Sequence, residues 1–289
     1  MDTSGCYALE NAGAPVTGTN VFIREVSTNR LKVGRVLDSV DWEWFWDVSE
    51  QLDKEETFVQ RQLAEAKSIL LPPETRLVQF CGRPVRGKFL LVCNVSFGTI
   101  AEELNQRGIF SENYCRCLFK QMTSAVAYAH EVSLSLLNVT LLNWEFVDMH
   151  KRMIKLSGFD ELRVLDDDED QIDCRFRHLP YAAPEVLQPI KYPVFSARRS
   201  DVWSLGVSLF VMSTGRRPFY STPTQSLRWA IINRRVHFPI FIPISLELKL
   251  LIASCMRRDP NLRWTARNIA QHPWMGRNAN SGLGLMLEP

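Results

Sequence analysis

No stretch of this 289-residue chain approaches the roughly 18 uninterrupted apolar residues of a membrane-crossing helix. The opening MDTSGCYALENAG has no apolar run of signal-peptide length either. The expectation is a soluble protein. Charge of one sign is also lacking: 34 basic and 32 acidic side chains leave a net +2, too little for a long-range field to favour nucleic acid or a membrane over other partners. Paired cysteines are missing. The seven, at positions 6, 81, 93, 115, 117, 174 and 255, form an odd set without Cys-x-x-Cys spacing, which argues against a structural zinc site and for reduced core thiols in the cytoplasm. Cys115 and Cys117 lie two apart in a helical stretch and so face different sides, which excludes a shared metal. No fixed-period repeat is visible.

What the chain does have is enough apolar material, 46% of its residues, to bury a large core. From about residue 20 to 98 the pattern is extended: VFIREV, RLKVGRVL, RLVQFC and KFLLVCNV read as strands, with GRPVRGK as the turn before the last. One helix, about Glu55 to Leu71, interrupts them and stops at Pro72 and Pro73. After Gly98 helical periodicity takes over, first in TIAEELNQRG and then in SENYCRCLFKQMTSAVAYAHE. There Ser111 and Glu112 suit a helix start, and Leu118, Met122, Ala125, Val126 and Ala129 form a core stripe. Further helices are expected at 201–214, 223–233, 245–257 and 265–271. Strands first and helices after imply an α+β, two-lobed architecture with ligands between the lobes.

The stretch YAAPEVLQPIKYPVFSARRSDVWSLGVSLFVMSTGRRPFY carries A-P-E at Ala183, Pro184 and Glu185, then D-V-W-S-L-G from Asp201 through Trp203 to Gly206, and G-R-R-P-F at Gly215 to Phe219. RRDPNLRWTARNIAQHPWM follows with Arg263. These motifs resemble the second half of a protein kinase domain, and the wording YAAPEVLQ is similar to the testis-specific serine/threonine kinases of the calcium/calmodulin-kinase-like group. The resemblance implies a strand-rich small N-lobe at about 20–94, a helical C-lobe at about 98–275, a segment 1–19 before them and a tail 276–289 after. It further implies a buried Glu185–Arg263 ion pair, an Asp201 that accepts backbone hydrogen bonds from the catalytic loop, and a packing role for Phe159.

The chemical positions of that family are changed. Active members need a third-strand lysine, a helix glutamate, a catalytic-loop base and a metal-binding aspartate. Counting back from Glu65, the helix glutamate, puts the third strand in DWEWFWDV, with Trp46 or Asp47 in the lysine's place; another alignment uses KVGRVLD, with Arg35 there. No G-x-G-x-x-G precedes either. Aligned from Tyr128–His130, the catalytic loop reads L-L-N-V-T-L-L-N. Leu136, Leu137 and Asn138 replace His-Arg-Asp, Thr140 replaces the lysine, and Asn143 is retained. An Asn138 amide takes no proton from a hydroxyl near neutral pH. The metal motif becomes Gly158, Phe159 and Asp160, and glycine offers no carboxylate. The activation segment Glu161–Pro180 has no hydroxyl residue; Cys174 takes the phosphorylatable place, and the acidic run Asp166–Asp170 reads as a solvated loop, with a docking strip for a basic partner as the alternative.

These correlated losses, beside retained packing motifs, imply a catalytically inactive kinase-like scaffold. It would bind a protein partner, such as an active kinase or its substrate, with no cofactor, nucleic acid or membrane expected. The alternative is a weak ATP- and magnesium-dependent serine/threonine kinase that uses Arg35, Glu65, Asn143 and Asp160.

Overall fold

The computed structural model describes residues 7–9, 20–25, 31–37, 76–79, 89–157, 162–165, 170–173, 178–188, 194–220 and 224–276. The N-terminal part is a sheet of five strands, β1 (Tyr7–Leu9), β2 (Asn20–Glu25), β3 (Leu31–Leu37), β4 (Arg76–Gln79) and β5 (Phe89–Asn94). Its spatial order is β1-β2-β3-β5-β4 and every neighbouring pair is antiparallel. Four of the strands coincide with apolar runs rich in β-branched residues, which suit a pleated, half-buried surface. The sheet starts earlier than the sequence suggests, because Tyr7–Leu9 pairs with β2. A three-residue run is too short to show a period.

The strand beside β5 decides between the two sequence alignments. It is Leu31–Leu37, in register from Lys32 opposite Asn94 to Leu37 opposite Phe89. The third strand of this sheet is therefore the KVGRVLD segment, with Arg35, and not DWEWFWDV, whose residues lie outside the described ones. Trp46, Asp47 and the expected helix over 55–71 lie outside the described residues.

The C-terminal part is helical. Helix α1 (Ile100–Arg107) opens on a capping box, in which Thr99 and Glu102 bond each other's backbone N–H. Helix α2 (Glu112–Glu131) starts where expected, with the Ser111 hydroxyl accepting from Tyr114 N at 3.3 Å. Its Leu118, Met122, Ala125, Val126 and Ala129 are fully buried. Helix α3 (Ala197–Thr214) is buried on almost every side, as a helix through the middle of a lobe must be. It begins four residues before Asp201, because Ser196 accepts from Arg199 N and caps it. Arg198 and Arg199 disguised that start.

Around α3 lie α4 (Thr224–Asn233), α5 (Leu246–Cys255), α6 (Ala266–Ala270) and α7 (Pro273–Gly276). Gly206 lets α3 approach α5: a Cβ there would meet Cys255 Cβ at 2.6 Å and Met256 Cγ at 2.7 Å. Gly215 ends α3 at φ 64°, where a Cβ would also sit 2.5 Å from the Gly108 carbonyl oxygen.

Three short two-stranded ribbons complete this part: β6 (Leu134–Ser135) with β9 (Arg163–Val164), β7 (Trp144–Phe146) with β8 (Ile154–Leu156), and β10 (Gln171–Asp173) with β11 (Val194–Ser196). The sequence reading missed all three, since pairing over two or three residues is set by tertiary contact and not by alternation. Of the cysteines, Cys115 and Cys255 are buried, and burial pushes both thiols up to about 12, far from reactivity. Cys117 is exposed, so the core reading fails there: it lies two positions from Cys115 and faces outward.

Glu112 ties α2 to α5 and α7. It accepts from Ser245 N at 3.2 Å, Ser245 Oγ at 2.8 Å and Trp274 Nε1 at 2.6 Å. Burial alone would raise its carboxyl, but the bonds from Ser245 and Trp274 outweigh it and hold the group below the usual glutamate range. Because the folded pKa is the lower one, the stabilisation is present at neutral pH and is lost as pH falls through it. Replacing Glu112 by Ala is expected to cost about 1–3 kcal/mol at neutral pH. Urea midpoints of wild type and E112A should converge as pH drops below the ordinary glutamate range.

Candidate functional site

Residues 136–143 run between two of the short ribbons, with β6 paired to β9 before them and β7 paired to β8 after. The loop is held from beneath by Asp201, 1% exposed within α3. Its Oδ2 accepts from Leu136 N at 2.8 Å and Ser135 Oγ at 2.7 Å, and its Oδ1 from Leu137 N at 2.7 Å. His130 Nε2, at the end of α2, lies 3.0 Å from Oδ2. The carboxylate thus meets four partners, two of them backbone groups of the loop. Sequence reasoning foresaw the backbone bonds and missed the Ser135 hydroxyl. His130 served there only to anchor the alignment.

That grip maintains an unfavourable backbone. Leu137 sits at φ 54°, a left-handed conformation that costs a residue with a Cβ about 1–2 kcal/mol and persists only where its surroundings over-determine it. Leu136 and Leu137 are both buried, 0% and 4% exposed. The positions that carry histidine and arginine in the resembled family are apolar packing here.

Asn138 is buried as well, and its Oδ1 has no hydrogen-bond partner. Thr140 Oγ1 is in the same condition. Asn143 closes the loop by donating from Nδ2 to the Asn138 carbonyl at 3.1 Å, and its own carbonyl accepts from Ser157 N at 2.8 Å. On the α3 side, Ser208 Oγ donates to the Val139 carbonyl at 2.8 Å. The structure therefore brings Asn138, Thr140 and Asn143 into one tight loop. No side chain from Leu136 to Asn143 titrates, so the loop contains no group able to accept a proton at neutral pH.

The other candidates are scattered or undescribed. Arg35 lies on β3 opposite Leu91 of β5. Sequence reasoning passed over Lys32 on the same strand, whose side chain is only 8% exposed; a lysine three positions before Arg35 was the available signal. Glu65, Gly158, Phe159 and Asp160 lie outside the described residues, as do Cys174 and most of the acidic run.

The second support is complete. Glu185 stands in a short 3-10 helix, Pro184–Leu187, beside the buried Ala183 and Pro184. Arg263, 1% exposed, donates to it through two parallel bonds of 2.6 and 2.9 Å. The remaining three guanidinium hydrogens reach the carbonyls of Arg199 at 2.7 Å, Arg257 at 2.9 Å and Arg258 at 3.4 Å. The buried ion is thus satisfied on every side. The guanidinium carbon also sits 5.2 Å from the Trp203 ring, which stacks on Phe219.

With this geometry in view, residues 49–275 match the protein kinase domain. The chain belongs to the protein kinase domain family. The matched region begins after β3, so the strand that carries Lys32 and Arg35 precedes it. Relatives of this family member include mouse Tribbles homolog 2, 36% identical over 170 residues, 58% of this chain and 48% of that protein. Human Tribbles homolog 1 is 32% identical over 178 residues, covering 62% and 47%, and rat Tribbles homolog 3 is 34% identical over 171 residues, covering 59% and 48%. The chain spans about half the length of the curated relatives it matches. These relatives lend no support to the finer resemblance to testis-specific kinases.

Breaking the Glu185–Arg263 pair from one side leaves a buried charge unpaired. Glu185→Ala or Arg263→Ala should lower the unfolding free energy by about 3–5 kcal/mol, read from urea denaturation. A loss under about 1 kcal/mol would place the pair among weak surface bridges.

Proposed function

We propose that this domain is a pseudokinase: a protein-kinase fold that binds a protein partner, an active kinase or the substrate of one, and transfers no phosphate. One observation carries the reading. The loop position that must supply a base holds the buried amide Asn138, while Asp201 and the Glu185–Arg263 pair still hold the surrounding frame. Loss of packing and loss of chemistry have come apart, and the packing remains. The proposal includes a cytoplasmic setting, supported by the free thiols of Cys115, Cys117 and Cys255. No described helix is long and apolar enough to cross a membrane.

Neither ATP nor magnesium belongs to this proposal. The alternative, an ATP-dependent kinase working through Arg35, Glu65, Asn143 and Asp160, makes the opposite prediction in one measurement. Any ligand of the native state raises its thermal midpoint. Thermal denaturation with millimolar ATP, with and without magnesium, is expected to show no shift. A magnesium-dependent rise would establish nucleotide binding and call for a phosphotransfer assay with Asp160 replaced.

Restoring the base alone is also expected to fail. Asn138→Asp places a carboxylate in a site 4% exposed, where an unpaired charge is costly. The variant should melt below wild type and show no phosphotransfer to a generic protein substrate; measurable transfer would mean that the rest of the site is competent.

A further inference from the structure

The segment that joins α4 to α5 turns its apolar side chains outward. Ile240 is 93% exposed and Phe241 97%, and Leu246 and Leu250 on α5 continue the patch at 69% and 53%. Phe241 lines an open cavity of about 420 Å³ together with Ile109, Phe110, Ile244 and Leu248, and Ser111, Ser213 and the already bonded Glu112 supply its polar wall. Scattered apolar residues are ordinary on a protein surface, but a contiguous patch beside an open cavity marks a place where something docks.

The charge of the same segment says what kind of partner fits. Residues 224–262 hold six Lys and Arg against Glu247 and Asp259, a net +4 in a chain whose total is only +2. The Asp259 carboxylate accepts from Asn261 N within its own turn. Arg235 is exposed at the start of the segment. Burial, and after it the Arg235 charge, draws the guanidinium of the half-buried Arg258 below its ordinary value. Among the described residues neither has a carboxylate partner, and Arg258 Nε is buried with no acceptor at all. The backbone there is fixed, since the Arg258 carbonyl accepts from Arg263, the cation of the buried pair.

Basic and apolar features lie in sequence along one edge. Phe238 packs on Phe210 of α3 at 5.4 Å, and Lys249 of α5 sits 5.9 Å from its ring. The segment therefore runs beside α5, from Phe238 at Lys249 to Ser245, which caps the N-terminus of that helix and is held by Glu112. Ten helical residues span about 15 Å, the length of four or five residues of extended peptide at about 3.3 Å each.

We propose that this strip docks an acidic segment of a protein partner, with its carboxylates at the exposed Arg235 and an apolar anchor, four or five residues away, in the cavity beside Phe241. The proposal rests on the reading of the domain as a binding module and names the surface and the chemistry of its partner. Carboxylates offset the basic charge of the strip, while the anchor removes Phe241 and Ile240 from water.

The test uses the full chain and a fluorescein-labelled peptide, Asp-Glu-Asp-Glu-Ser-Gly-Ser-Leu-Leu-Trp, followed by anisotropy. Binding is expected, and weakens as salt rises. Arg235→Glu and Phe241→Ser, both at exposed positions and checked for an unchanged melting midpoint, should each weaken it by about tenfold or more. The same peptide with Asn and Gln in place of its acids, or Ser in place of Leu and Trp, should bind no better than the variants do. Absence of binding to the unaltered protein, equal binding by both variants, or equal binding of the neutral peptide would overturn the proposal. A single-stranded RNA that binds more tightly and depends on the same arginine would overturn it in favour of nucleic acid. The ATP titration stands apart. A protein that fails here yet shows no ATP shift loses this surface and keeps the non-catalytic reading; one that binds the peptide and also shows a magnesium-dependent shift keeps the surface and loses that reading.

Discussion

One buried carboxylate organises the centre of this domain. Asp201 is held rigid within α3, and its two oxygens collect the N–H groups of Leu136 and Leu137, the Ser135 hydroxyl and the His130 ring. A carboxylate buried to this depth is tolerable only if its lone pairs are used. Satisfying them dictates the path of the loop above, including the left-handed turn at Leu137. The ribbons on either side, the Ser208 bond to Val139 and the closure by Asn143 all presuppose that path.

A frame so well determined does not depend on the chemistry it once could have presented. Leucine replaces charge at positions 136 and 137 without disturbing the backbone bonds, since Asp201 reads only N–H groups there. The same holds for Glu185 and Arg263, which join the A-P-E segment to the last helices through a fully bonded pair. Removing one member of either support is destabilising, whereas replacing a side chain that faced a substrate has no such penalty. Stability therefore preserves the scaffold while leaving its catalytic residues free to change, and the surface along α4 and α5 free to acquire a binding role.

Much of the architecture was legible in the order of residues. Long helices announced themselves through the Leu118–Ala129 stripe and the Ser111 cap, because a helix packed on one face needs a period and a defined start. The strands β2 to β5 showed through β-branched runs. The reading failed where elements are short or where tertiary contact overrides local pattern. The edge strand at Tyr7–Leu9 and the three ribbons are too brief to carry a period. Arg198 and Arg199 concealed the start of α3, since Arg199 turns its guanidinium to the Arg263 carbonyl and Arg263 in turn donates to the Arg199 carbonyl, a pairing between residues far apart in the chain.

By itself the sequence determined which chemical groups exist: an amide at position 138, no carboxylate at position 158, paired Glu185 and Arg263, and the spacing that places them in a kinase fold. These depend only on residue identity and order. The tertiary structure alone decided which strand lies beside β5, that Asn138 is buried with an oxygen unbonded, and that Asp201 also engages Ser135. It also decided that Arg235, Ile240 and Phe241 all stand exposed on the segment that joins α4 to α5. Burial, pairing and exposure are relations between residues distant along the chain, and they take definite values only once the core has fixed where each backbone runs.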